Sequence, residues 1–353
     1  MITELKIKNF RRFKEFELKN LGLVNLLVGE NNGGKTSVLE AVQLLKAKGD
    51  TEKIAKIMKS RNEFLDDLNP NQIDICQIFH NHKIKPGSSF FINSKQESGE
   101  ETLLSQIYDG VPGLIEYNGL ENDDLLNKSF LKMEWKSSLK EIIEISYLID
   151  KGGLLLKRGL SAYSKEPVIM DNLLFVSSGA MSVDETVQIF KDIVLNPEEE
   201  LVIDSLNIIE PSIARIAITG TRGGLAVKCR GIDKRIPIGN MGDGIWRLLG
   251  ITLALVKAKD GILLIDEIDT GLHFTVMEKM WNLIIKTAEK LNVQVFATTH
   301  NSDCWTSLAA VLQENDSIKE NISIQRIEKN KTRAVSFTKD EIIIAADRKI
   351  EVR

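Results

Sequence analysis

Leu26-Leu27-Val28-Gly29-Glu30-Asn31-Asn32-Gly33-Gly34-Lys35-Thr36-Ser37 fits the phosphate-binding spacing G-x-x-x-x-G-K-[ST], with an apolar run before it and a helical pattern after it. Leu23, Val24, Leu26, Leu27 and Val28 read as a short buried parallel strand. Val38, Leu39, Val42 and Leu45 then recur at helical spacing, which predicts a helix to about Lys48, stopped by Gly49-Asp50. Glycines at 29, 33 and 34 let the backbone turn successive N–H groups into one concavity, and the helix N-terminus adds partial positive charge. A polyphosphate is the guest such a loop suits. Gly29, Asn31, Asn32, Gly33, Gly34, Lys35, Thr36 and Ser37 are the candidate contacts, with Lys35 reaching the β- and γ-phosphates and the Thr36 hydroxyl a ligand for Mg²⁺.

The chain around this loop has 353 residues, 43% hydrophobic and 27% charged, enough for one large composite domain or two lobes. No apolar run approaches a membrane span, and Met1-Ile2-Thr3-Glu4 is no signal peptide. Cys76, Cys229 and Cys304 are scattered and lack C-x-x-C spacing. The expectation is a cytoplasmic protein in a reducing setting, with no membrane partner. A net charge of −4 gives no global basic field, although Lys53, Lys56, Lys59 and Arg61 line up as a helical stripe that reads as a solvated face. His80 and His82 are too few for a zinc site.

Residues 2–28 read as strands leading into the loop strand. A second helix is expected over about 51–68, and mostly β structure from 73 to about 160. Helix starts follow at Ser182-Val183-Asp184-Glu185 and at Asn196-Pro197, then strands at 213–219 and 225–230 around the turn Thr221-Arg222-Gly223-Gly224. Gly239-Asn240-Met241-Gly242-Asp243-Gly244 opens an apolar helix to about Ala258. Next, Ile262-Leu263-Leu264-Ile265-Asp266-Glu267 has the Walker B form, four apolar residues closed by two acids at a strand's carboxyl end. There Asp266 would hold Mg²⁺ through water, and Glu267 would polarise the attacking water. A helix over about 274–291 leads to the strand Val293–Ala297, which ends in Thr298-Thr299-His300.

Loop, glycine-rich helix start, hydrophobic-Asp-Glu and strand-end histidine, in that order, resemble the ABC-type ATPases, and most closely their OLD/RecF/SMC branch. Ile7-Lys8-Asn9-Phe10-Arg11-Arg12-Phe13, the loop itself, Asp266-Glu267-Ile268-Asp269-Thr270-Gly271-Leu272-His273 and Thr298-Thr299-His300 carry that likeness. The resemblance implies an α/β P-loop NTPase with a mixed sheet and a second β-rich and helical lobe. Lobe I would take about 1–70 plus 260–353, its sheet built from the N-terminal strands with residues of about 260–337, and lobe II about 71–259. It also implies ATP hydrolysis with Mg²⁺ in a head-to-tail homodimer, each ATP lying between one protomer's loop and its partner's signature motif. Lys35, Glu267 as base and His300 at the γ-phosphate would be catalytic, and Asp266 would hold the metal. Gln77 is a candidate metal-side residue, and Arg11 or Arg12 would approach the nucleotide.

The signature differs from the transporter Leu-Ser-Gly-Gly. Here it is Met241-Gly242-Asp243-Gly244, so Gly242, Asp243 and Gly244 offer backbone N–H groups and no hydroxyl. Asp243 would repel phosphate unless it caps its helix or meets a cation. That departure speaks against a transporter subunit. The lack of heptads speaks against a long coiled coil. The Glu-Gly pair and Asp-x-Asp of a TOPRIM nuclease are not found, and the chain runs only about 50 residues past His300. The expectation is therefore the ATPase part alone, acting on a separate DNA-directed or phage-defence effector, nuclease-like or DNA itself, with a RecF-like DNA-binding repair ATPase as the alternative.

Overall fold

The structure is a computed structural model that describes residues 1–65, 72–109, 129–149, 153–155, 172–179, 181–219, 224–315 and 321–352. The expected turn at Thr221-Arg222-Gly223 lies outside the described residues. Contacts divide the chain into two compact units. One comprises Met1–Lys19, Thr36–Met170 and Lys329–Ala334; the other comprises Asn20–Lys35, Asp171–Glu328 and Val335–Arg353.

The first unit is built on strands β1 (Ile2–Phe10), β2 (Phe13–Leu18), β4 (Gln72–Asp74), β5 (Ser89–Gln96), β6 (Gly99–Asp109), β7 (Ser129–Ser137), β8 (Glu141–Ile149) and β9 (Gly153–Leu155). They form one sheet in the order β2-β1-β5-β6-β7-β8-β9-β4, antiparallel throughout the long strands. Its inward positions, among them Leu5, Ile7, Phe16, Phe90, Ile92, Leu103 and Met133, are buried. Its outward positions carry opposite charges, as in Lys6–Glu17 at 3.3 Å, Lys8–Glu15 at 3.1 Å and Lys95–Glu4 at 3.2 Å. Such alternation suits a sheet with one face on a core and one in water.

Helices α1 (Lys35–Lys46) and α2 (Thr51–Lys59) lie between β3 and β4 in the chain. α2 stops well short of the expected 68. Asn62 turns left-handed at φ +58°, and Phe64 bridges Ile73, so an extended pairing takes over from the helix. Arg61 leaves the expected basic stripe to pair with Glu40 and, at 3.4 Å, Glu63.

The second unit holds β3 (Val24–Val28), β10 (Leu173–Val176), β14 (Ile262–Ile265), β15 (Gln294–Thr298), β16 (Ile322–Arg326) and β17 (Val335–Phe337) in the order β10-β14-β15-β3-β16-β17. All neighbours are parallel except β16 and β17. β3 is buried at all five positions, as a strand covered on both faces must be. This corrects the expected lobe I sheet: the amphipathic β1–β2 hairpin pairs with β5, whereas the wholly apolar β3 pairs with β15 and β16. Around the parallel sheet lie α3 (Val183–Ile193), α4 (Pro197–Asn207), α5 (Asp243–Lys257), α6 (Phe274–Leu291), α7 (Ser302–Glu314) and α8 (Lys339–Asp347). α5 buries Leu248, Leu249, Ile251, Leu253, Ala254 and Leu255 in the same apolar cluster as Val24, Leu26, Leu263 and Ile265. A small sheet of β11 (Ile213–Thr219), β12 (Gly224–Cys229) and β13 (Ile236–Pro237) completes the unit. The capping signal at Ser182 is realised, its side chain accepting from Glu185 N, whereas Asn196 makes no side-chain cap bond and its helix start rests on Pro197 in the first turn.

Candidate functional site

Three adjacent parallel strands release the candidate residues at their carboxyl ends, where α/β sheets collect ligands. β3 runs into the Gly29–Gly34 loop, β15 beside it into Thr299 and His300, and β14 next to that into Asp266 and Glu267. The loop is shaped for glycine. A Cβ on Gly29, at φ +140°, would lie 2.3 Å from the Ile327 carbonyl oxygen, and one on Gly33 would lie 2.8 Å from that of Glu30. Asn31 and Asn32 are exposed, Asn32 in the left-handed conformation that asparagine tolerates. Lys35 is buried, its Nζ donating to the carbonyls of Gly29 at 2.7 Å and Glu30 at 2.9 Å. Thr36 and Ser37 follow, half-buried, in the first turn of α1, which contains no acidic residue.

At the end of β14, Thr298 organises both acids. Its Oγ1 donates to Asp266 Oδ1 at 2.6 Å and accepts from Glu267 N at 2.8 Å. Glu267 is left-handed, at φ +47°, a conformation that a glutamate keeps only where its surroundings fix it. Arg247 of α5 supplies the rest of that fixing. It is 4% exposed. Its Nη2 donates to the carbonyls of Asp266 and Glu267, each at 2.8 Å, and its Nη1 to those of Ser177 at 2.7 Å and Gly179 at 3.0 Å. Burial pushes the guanidinium's pKa down, while the carboxylates of Asp269, Asp266 and Glu267 push it back up. His300 Nδ1 stands 3.6 Å from Glu267 Oε1, with the two side chains 48% and 41% exposed, open to solvent and to a ligand.

Gly242, at φ +92°, precedes α5, and Asp243 lies exposed in its first turn. Asp243 stands in the first turn of α5, where the partial positive charge of the helix N-terminus favours a carboxylate. Gly244 faces the turn after β14: a Cβ there would lie 3.3 Å from Gly271 O and 3.7 Å from Leu272 Cδ2. The first turns of α5 and the turn after β14 are thus tied twice within one chain, by this close packing and by Arg247.

Besides Thr36 and Ser37, the expected residues Gln77, Arg11 and Arg12 belong to the first unit. Gln77 sits in a short 3₁₀ helix, Ile75–Ile78, where its Nε2 donates to Asp74 Oδ2 at 2.7 Å. Arg11 is buried, with Nε 3.0 Å from Glu40 and Nη1 and Nη2 on Glu63 at 2.5 and 3.0 Å. Its charge is committed there. Arg12 is half-buried and makes no side-chain hydrogen bond or ion pair among the described residues, so of the two it is the arginine left available to a ligand.

Sequence reasoning missed Arg247 and Thr298. The signal for Arg247 was a lone cation inside the apolar run Ile245–Val256. Thr298 had none, since a threonine before Thr299-His300 reads as an ordinary strand residue.

The family described as "AAA domain, putative AbiEii toxin, Type IV TA system" matches residues 24–303, from the start of β3 into α7. The chain belongs to this family. It is similar to an "ATP/GTP phosphatase" of Helicobacter pylori, 23% identical over 354 aligned residues that cover 90% of each protein. It is also similar to an "OLD nuclease" of Thermus scotoductus, 25% identical over 320 residues, which take in 85% of this chain but 59% of that protein's length. Among solved structures, an SMC head bound to the C-winged helix domain of ScpA shares the fold, with a TM-score of 0.50 at 14% identity, covering 96% of this chain and 97% of that one. This member of the AAA family is an ATPase of the OLD/RecF/SMC branch, with the ABC-type head fold of P-loop NTPases. Among the described residues no helix is long and apolar enough to cross a membrane.

Proposed function

We propose that this ATPase hydrolyses Mg-ATP in a head-to-tail dimer and that closure of the dimer controls a separate DNA-directed or phage-defence effector. The observation that carries this reading is the double tie between the start of α5 and the Glu267 turn, through Arg247 and the Gly244–Gly271 packing. A nucleotide held by a partner at Gly242, Asp243 and Gly244 would be felt directly at Glu267.

The residues fit the ligands the reading needs. A loop that admits only glycine beside Ile327, with a buried ammonium and no acid in the following helical turn, suits a polyphosphate. The Asp266 carboxylate and Thr36 hydroxyl are hard oxygen donors of the kind Mg²⁺ takes. Bound there, Mg²⁺ would neutralise charge on the transferred phosphoryl oxygens. Lys35 would hold the β- and γ-phosphates, and the amides of Gly29, Asn31, Asn32, Gly33 and Gly34 would cradle them. Glu267 would orient the attacking water and take its proton, with His300 3.6 Å away fixing that carboxylate and meeting the γ-phosphate. Roles for Arg12 and Gln77 at the nucleotide belong to the same proposal. Control of an effector is supported by the toxin–antitoxin wording of the family and by the nuclease relative, which is longer than this chain.

Light scattering with the Glu267→Gln variant tests dimer closure. ATP is expected to double the mass, and a mass and compactness indifferent to ATP in every variant would end the model.

A further inference from the structure

Among the described residues, the exposed face of the β11–β12–β13 sheet carries charge of one sign, unlike the paired charges of the larger sheet. Residues 211–242 contain six basic side chains, Arg215, Arg222, Lys228, Arg230, Lys234 and Arg235, against one acid, Asp233, in a chain whose net charge is −4. Arg222 lies outside the described residues; the other five are exposed. Arg215 stands directly opposite Lys228 across the β11–β12 ladder. Like charges so placed are destabilising. Arg230 follows two residues after Lys228, about 6.7 Å along the same edge, and its N–H pairs with Ser212 O. The β12–β13 ladder ends where Val227 meets Ile236, and Lys228 and Arg235 are the next residues of the two segments. Lys228 Nζ donates to the carbonyls of Ile232 and Asp233 at 2.5 and 2.8 Å, which folds the 230–235 loop onto this strand.

None of Arg215, Arg230, Lys234 and Arg235 has a side-chain hydrogen bond or ion pair among the described residues. Glu210, at the base of the hairpin, is taken up by Ser212 N at 3.1 Å. The contrast with the first unit is direct. There the outward cations Lys6, Lys8, Lys95 and Lys132 each face a glutamate on the sheet. One antiparallel sheet neutralises its outer face, and the other concentrates unanswered positive charge.

We infer that this face is a docking surface for the phosphate backbone of a nucleic acid. Guanidinium groups are the side chains suited to bidentate phosphate contact, and three of the described cations are arginines. A protein partner would need a buried apolar or aromatic anchor. Among the described residues of this face only Ile232, 45% exposed, offers any large apolar surface, which disfavours a peptide or membrane partner and suits a polyanion read through charge alone. The surface also has a route to the chemistry: β13 passes through a single 3₁₀ turn, Ile238–Met241, into Gly242 of the signature.

The inference does not depend on ATP hydrolysis, so it is tested without nucleotide. The full chain is titrated against fluorescein-labelled single-stranded and duplex DNA of about thirty residues and against labelled poly-glutamate, at several salt concentrations. Arg215→Glu/Arg230→Glu is compared with Lys8→Glu/Lys136→Glu, an equal charge change on the other sheet. Arg215→Gln/Arg230→Gln, which relieves the like-charge pair, guards against misfolding in the reversal variant. Wild type is expected to bind DNA with a clear salt slope. Both Arg215/Arg230 variants should lose tenfold or more in affinity, and the slope should fall by about two, while the Lys8/Lys136 variant stays within twofold of wild type. Equal binding by wild type and the Arg215/Arg230 variants would overturn the assignment. So would poly-glutamate binding without DNA binding, or no binding of either.

Discussion

Arg247 Nη2 donates to the carbonyl oxygen of Glu267 at 2.8 Å, while Glu267 holds a left-handed backbone at φ +47°. A buried guanidinium that ends on backbone carbonyls leaves the Glu267 carboxylate free for chemistry, yet fixes the backbone that carries it. Arg247→Lys is therefore expected to keep the fold and nucleotide affinity but lower kcat by roughly tenfold or more, because an ammonium cannot span both pairs of carbonyls. Arg247→Met, which leaves four carbonyls short of a donor, should lose stability as well, by about 1–3 kcal/mol. Equilibrium ATP-analogue binding beside steady-state phosphate release separates the two effects. A Lys variant with wild-type kcat would remove Arg247 from the positioning of Glu267.

Thr298 holds the same turn from β15. Thr298→Val keeps the shape but removes the hydroxyl that donates to Asp266 and receives Glu267 N. It should cost about 1–3 kcal/mol in stability and weaken the dependence of turnover on Mg²⁺, whereas Thr298→Ser should restore both. Thermal denaturation and a Mg²⁺ titration of phosphate release check this.

The glycine loop after β3 and the pair of acids closing β14 were legible in sequence as local structure, because a tight turn and a buried strand end demand particular residue types at fixed spacing. Gly29 has no room for a side chain against Ile327 O, and Asp266-Glu267 must close an apolar strand. The partition of strands was less legible. β1 and β2 look like any strands preceding β3, and only their alternation, set against five consecutive buried positions in β3, separates the antiparallel hairpin from the parallel sheet. The reach of α2 was misjudged because the pairing that ends it, Phe64 with Ile73, is made across residues that sequence periodicity does not link. Arg247 and Thr298 act through backbone groups, and backbone contacts leave no complementary residue type to find.

Gly29→Ala is expected to combine a collision with Ile327 O and a strained φ, so nucleotide binding and stability should fall together. A variant that melts and binds ATP like wild type would show that the loop has slack the structure does not contain.

Arg11 joins Glu40 and Glu63 in the first unit, and Glu40 is 3% exposed. Arg11→Met leaves those carboxylates without their main partner and should destabilise by about 3–5 kcal/mol near neutral pH, less when combined with Glu40→Gln. Burial raises the Glu40 pKa from its ordinary value of 4.5, while Arg11 and Arg61 oppose the rise. Without Arg11 the folded pKa stands further above the unfolded one, so the folded variant binds the proton more readily than the unfolded chain. The deficit should then be smallest below about pH 4 and grow as pH rises through the folded pKa. Urea melts across pH would detect that trend, and a deficit that is independent of pH would contradict it.

Measuring ATP affinity and phosphate release side by side in Lys35→Ala and Glu267→Gln decides whether Lys35 holds the nucleotide and Glu267 turns it over. Lys35→Ala should lose affinity by about tenfold or more. Glu267→Gln should bind ATP as wild type does and release phosphate about 10²-fold more slowly. A Glu267→Gln protein that hydrolyses ATP at the wild-type rate, or a Lys35→Ala protein with undiminished affinity, would contradict the account.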